Sequence, residues 1–76
     1  MKIETLKNEI IAGHIQLIRL RRSPDNVNSW FCTVKMDDHS MHILVGNDGK
    51  TIISGSLDDL VAELKMLGAK DVGIIL

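Results

Sequence analysis

Apolar positions recur along this chain at two spacings, and where each holds predicts the elements. Ile3, Leu6 and Ile10 repeat at helical spacing with Lys2, Glu4, Lys7, Asn8 and Glu9 between them, giving one apolar stripe and one solvated face. Gly13 is a natural stop, because glycine enters the left-handed conformation without steric cost. The spacing predicts a helix over residues 2–12. From His14 the pattern turns β-like but changes parity, with Ile15 and Leu17 on one alternation and Ile18 and Leu20 on the other. A bulge near Leu17 brings all four inward and leaves Gln16, Arg19 and Arg21 outward.

Residues 23–28, SPDNVN, are turn chemistry leading into a second strand, SWFCTVKM. Trp30, Cys32, Val34 and Met36 share its core face, and Phe31, Thr33 and Lys35 share the other. A two-residue turn at Asp38 and His39 then pairs Met36 with Met41, Val34 with Ile43 and Cys32 with Val45, apolar against apolar throughout. The next turn, GNDGK, reads as a three-residue hairpin loop with Gly49 in the left-handed position. Under it Ile43 faces Ile53 inside, and Leu44 faces Ile52 outside.

Ser56 followed by Asp59 resembles a capping box with Asp for the usual Glu, and the early aspartates suit the positive end of a helix dipole. Leu57, Leu60, Val61, Leu64 and Leu67 make the buried stripe of that helix, and Gly68 ends it. The final VGIIL reads as a buried strand. It is free to run parallel to the fourth strand or antiparallel to the first. The expected fold is an α+β two-layer sandwich of order α-β-β-β-β-α-β, with a mainly antiparallel sheet and both helices on one face.

At 76 residues the chain is expected to be a single domain, and its 45% hydrophobic and 25% charged composition is that of an ordered one. One cysteine, Cys32, excludes an intrachain disulfide and a zinc-binding Cys pair. The N-terminal segment is too charged for a signal peptide, and no run reaches transmembrane length. The expectation is a soluble, cytoplasmic protein. Net charge is only −1, but residues 1–35 carry six basic and three acidic side chains, and residues 36–76 three basic and seven acidic. That asymmetry predicts one basic and one acidic pole.

Catalytic and ligand motifs are missing. Asp37, Asp38, His39 and His42 have donor atoms for a metal, but a hairpin turn spreads them apart, so no metal or cofactor is expected. Cys32 faces the core on this register, out of reach of His42, and reads as a small hydrophobe. Without paired carboxylates, a P-loop or a nucleophile elbow, the chain is not expected to be an enzyme.

What remains is the sheet face away from the helices. Phe31, Leu44 and Ile52 are expected at its centre, with Thr33, His42, Lys35, Arg19 and Arg21 around them. An apolar centre in a basic and polar rim is how protein interfaces are commonly built. The leading expectation is a small non-enzymatic protein-binding module, an inhibitor or adaptor docking on a larger partner, of the kind phages and plasmids carry against host machinery. Its rival is a nucleic-acid-binding regulator using Arg19, Arg21, Arg22 and Lys35. One outward aromatic, Phe31, is few for a sheet that stacks bases. The third reading is a homodimer joined through the same face.

Overall fold

The computed structural model describes residues 1–76. Its elements are α1 (Ile3–Ala12), β1 (Ile15–Arg22), β2 (Trp30–Met36), β3 (Met41–Ile43), α2 (Leu57–Met66) and β4 (Val72–Ile74). They form an α+β fold with one four-stranded mixed sheet of order β3-β2-β1-β4, antiparallel between β3, β2 and β1 and parallel between β1 and β4. The expected element order holds with its fourth β segment reduced to single bridges, Thr51 to Val45 and Ser54 to Trp30.

Both helices form where their stripes and caps predict. Gly13 closes α1 at φ 77°, and the Ser56 side chain accepts the Asp59 N–H at 3.2 Å at the start of α2. Such a side-chain cap contributes about 1 kcal/mol by satisfying one of the amides that a helix start leaves unpaired. Gly68, at φ 102°, turns the chain out of α2. Leu6 of α1 and Leu60 and Leu64 of α2 are buried in one cluster with Ile18 and Leu20 of β1 and Cys32 and Val34 of β2. Ile18 lies opposite Val34 and Leu20 opposite Cys32, so both helices cover the same face of the sheet.

The bulge in β1 lies between Ile15 and Leu17, as the parity change predicts. It differs in what it does with Leu17. Ile15 is opposite Met36 and Ile18 opposite Val34 on the helix side, but Leu17 is opposite Lys35 and belongs to the alternation of Arg19 and Arg21. One extra residue restores parity for the residues beyond it, and the bulge residues themselves cannot both face inward.

The β2–β3 register is one residue away from the expected one. Thr33 is opposite Ile43, Val34 opposite His42 and Lys35 opposite Met41. The turn has three residues instead of two: the Met36 N–H donates to the Ser40 carbonyl and the His39 N–H to the Met36 carbonyl, both at 2.9 Å. His39 takes the left-handed conformation, φ 70°. A one-residue slip exchanges the faces of every residue after it. Leu44 therefore enters the core at 3% exposure, while Ile43 is 45% exposed and Met41 51%.

The C-terminal segment is an edge strand, not a buried one; it runs in the direction of the fourth β segment, as one of the two expected arrangements has it, but pairs parallel with β1 and not antiparallel to it. Ser54 bridges β2 antiparallel, so the chain there runs in the direction of β1. A helical crossover returns the chain to the same end of the sheet, and β4 then runs in that direction again.

Candidate functional site

Each strand residue that does not face the helices faces outward, and the register arranges these residues in cross-strand rows. Gly73, Arg19, Thr33 and Ile43 form one row across β4, β1, β2 and β3. Leu17, Lys35 and Met41 form the next on one side, and Arg21 with Phe31 the next on the other. The face is thus graded. Guanidinium groups lie on β1, mixed chemistry on β2 and exposed apolar side chains on β3.

Five of the eight residues expected on this face are on it: Phe31, Thr33, Lys35, Arg19 and Arg21. Leu44 is core, Ile52 packs against the core, and His42 lies opposite Val34 on the helix side. These three are corrected by the same slip, and Ile43 and Met41 take their place. The sequence signal for them was there in part: they are β-branched or long apolar residues on one alternation, and only the length of the preceding turn decides which face that alternation meets.

Arg19 is the most built element of the face. Its side chain lies across β4 directly over Gly73, where an added Cβ would be 3.0 Å from Arg19 Cδ and 3.1 Å from Nη1. Glycine at that position leaves the guanidinium room to lie flat on the sheet. Thr33 beside it is buried and points its hydroxyl at the Arg19 carbonyl, at 3.4 Å.

Charge is divided between the two layers. None of the ten acidic residues falls in a strand, whereas Arg19, Arg21, Arg22 and Lys35 do. The helices carry Glu4, Glu9, Asp58, Asp59 and Glu63 against Lys7 and Lys65. No lysine or arginine is within ion-pair distance of a carboxylate; the one such contact is His14 with Glu9, at 2.8 Å. Arg22 is nevertheless occupied. It donates to the Val27 carbonyl at 2.6 Å and stacks 4.8 Å from the Trp30 ring centroid, which pins the 23–29 loop. The free cations of the open face are Arg19, Arg21 and Lys35.

Asp38, Ser40 and His42 form a hydrogen-bonded chain that resembles nucleophile chemistry only in composition. The Ser40 hydroxyl and backbone N–H both reach Asp38 Oδ1, at 2.6 and 2.9 Å. These two bonds, the hydroxyl first, hold the Asp38 carboxyl below its usual value, with the nearby His42 adding to them. An ionised carboxylate accepts only, so the Ser40 proton goes to Asp38, and His42 Nε2, 3.0 Å from the Ser40 oxygen, must be the donor there. The histidine is not placed to take the serine proton.

Cys32 is fully buried, its thiol is pushed up to about 11 by desolvation, and its nearest polar partner is the Thr33 carbonyl at 3.9 Å. At neutral pH it is a protonated hydrophobe, not a thiolate nucleophile. No three His, Cys, Asp or Glu side chains gather into a cluster able to hold a metal ion. No helix is long and apolar enough to cross a membrane. No family model matches the chain, and comparison with curated proteins and with solved structures found no match.

Proposed function

We propose that this chain is a non-enzymatic protein-binding module that docks its open sheet face on a larger partner, acting as an inhibitor or adaptor. The observation that supports it most is the composition of that face. Met41 and Ile43 are exposed on β3, Phe31 lies on β2 one row beyond Ile43, and Arg19, Arg21 and Lys35 share the face with no carboxylate in reach. Exposed apolar side chains gain by being covered, and a polar rim of unpaired charge gives such a contact its selectivity. The single buried cysteine suits a reducing compartment, and the cytoplasm is the proposed location.

The rival reading, a nucleic-acid-binding regulator, is favoured by one observation: every charged side chain in the strands is basic. It loses Arg22, which is held by Val27 and Trp30. The two separate by salt, because phosphate contacts weaken steeply as salt rises and apolar-centred contacts do not.

The test is comparative capture from bacterial lysate by the immobilised wild type, Ile43→Glu and Glu63→Lys. The expected result is a protein held by the wild type and by Glu63→Lys but not by Ile43→Glu, since a carboxylate in the apolar half of the face is buried unpaired on docking. Capture that Ile43→Glu leaves unchanged overturns the proposal. Capture of nucleic acid released by moderate salt selects the rival, and light scattering that shows a dimer broken by Ile43→Glu selects a homodimer.

A further inference from the structure

We infer that the occupant of the open face is an acidic amphipathic helix of a partner protein, lying along the strands with its carboxylates over β1 and its apolar stripe over β3. The inference rests on the docking reading above and specifies its partner. Three observations carry it. The first is the grading of the face, with Arg19 and Arg21 on β1 and Met41 and Ile43 on β3, two strands away. That separation is about 10 Å, close to the diameter of a helix with its side chains. A single helix can meet both columns at once.

The second is spacing along the strand. Arg19 and Arg21 are alternate residues on one face, so they stand about 7 Å apart, and carboxylates four residues apart on a helix are separated by about 6 Å of rise. Glutamates at i and i+4 on the flank of an apolar stripe match the two guanidinium groups in register. Guanidinium and carboxylate are planar partners able to form paired hydrogen bonds. Lys35, on β2 between the columns, has the flexible stem to reach the same acidic flank.

The third is that the cations are free and partly set in place. No carboxylate of this chain reaches any of them, and the Gly73 surface holds the Arg19 side chain across the sheet. Less side-chain freedom is then lost when a partner arrives. The chain's own helix α2 shows the same chemistry on its exposed side, with Asp59 and Glu63 beside Ala62 and Met66. A second copy docking through it would assemble head to tail without closing, and would show as growth in mass with concentration.

The experiment is amide chemical-shift mapping on the full chain with synthetic helical peptides. One carries a leucine stripe flanked by glutamates at i and i+4; one has lysines for those glutamates; one has the first composition scrambled so that its carboxylates surround the helix. A single-stranded oligothymidylate of equal charge is the fourth probe. The expected result is saturable shifts centred on Arg19, Arg21, Thr33 and Ile43 with the first peptide alone. Arg21→Glu should weaken that binding about tenfold or more and should favour the lysine peptide instead. Gly73→Ala should weaken it several-fold with the fold intact, because only the Arg19 side chain has to move. Equal binding of the scrambled peptide, preference for the oligonucleotide, or concentration-dependent assembly that competes with the peptide overturns the inference. Absence of peptide shifts while Ile43→Glu still abolishes capture overturns this inference and leaves the docking reading standing. Unchanged capture by Ile43→Glu removes both.

Discussion

The chain makes the same turn twice, and only one of the two is marked by a glycine. In residues 46–50 the Gly46 N–H donates to the Lys50 carbonyl, Gly49 donates back to Gly46, and Asp48 Oδ1 accepts the Lys50 N–H. In residues 36–40 Met36 donates to Ser40, His39 donates back to Met36, and Asp38 Oδ1 accepts the Ser40 N–H. The left-handed position is Gly49 at φ 79° in one and His39 at φ 70° in the other. Glycine enters that region freely, whereas histidine enters it at a cost and far less often. A left-handed glycine is therefore a legible sign and a left-handed histidine is not. The difference is small locally, and its consequence is global: it decides that Leu44 faces the helices and Ile43 the open side.

Leu44→Glu separates the two turn geometries by the largest effect. A carboxylate forced into the core beside Cys32 should cost about 4 kcal/mol or more and abolish cooperative unfolding, read by circular dichroism during a urea titration. If the variant melts like the wild type, the two-residue turn is the true one. Next in size is an exchange between the turns. His39→Gly should stabilise the fold by roughly 0.5–1 kcal/mol and Gly49→His should cost about 1–2 kcal/mol, because each moves the left-handed position toward or away from the residue that tolerates it. Equal and small shifts in midpoint for both would mean that neither residue holds that conformation in solution.

A pH titration sharpens the same point at Asp38. Its carboxyl is held below 3.8, the value for the free side chain, so the contribution of its bonds to Ser40 is present above that value and is lost as pH falls through the lower folded value. The Asp38 carboxyl carbon shift should titrate with its midpoint below the ordinary aspartate value; a midpoint at or above it would show the turn contact to be absent. The smallest effect should be that of Ile43→Glu on stability, under about 0.5 kcal/mol, as for surface substitutions generally. The neighbours Leu44 and Ile43 thus give opposite results under the same substitution, and a two-residue turn would exchange the two results.

Local elements were legible where one segment carries all the information. The stripes of α1 and α2, the stops at Gly13 and Gly68, the Ser56 cap and the bulge between Ile15 and Leu17 each arise from residues a few positions apart. The open face was legible for Arg19 and Arg21 of β1 and for β2, whose alternation is anchored by Cys32 and Val34; it was misread for Leu17 at the bulge and for Leu44, Ile52 and His42, which follow the His39 turn. Residue identities favour the other register, which pairs Met36, Val34 and Cys32 with Met41, Ile43 and Val45, whereas the observed one sets His42 opposite Val34 and Ile43 opposite Thr33.

By itself, then, the sequence determined two amphipathic helices, a bulged first strand, a clean second strand and a basic, acid-free set of strand residues, because periodicity and charge are properties of short segments. Tertiary structure decided the face of β3 and the place of β4. The first depends on a three-residue turn closed by His39 in the left-handed conformation, after which Leu44 and not Ile43 is buried. The second depends on pairing between segments far apart in the chain, with β4 laid parallel on the side of β1 away from β2.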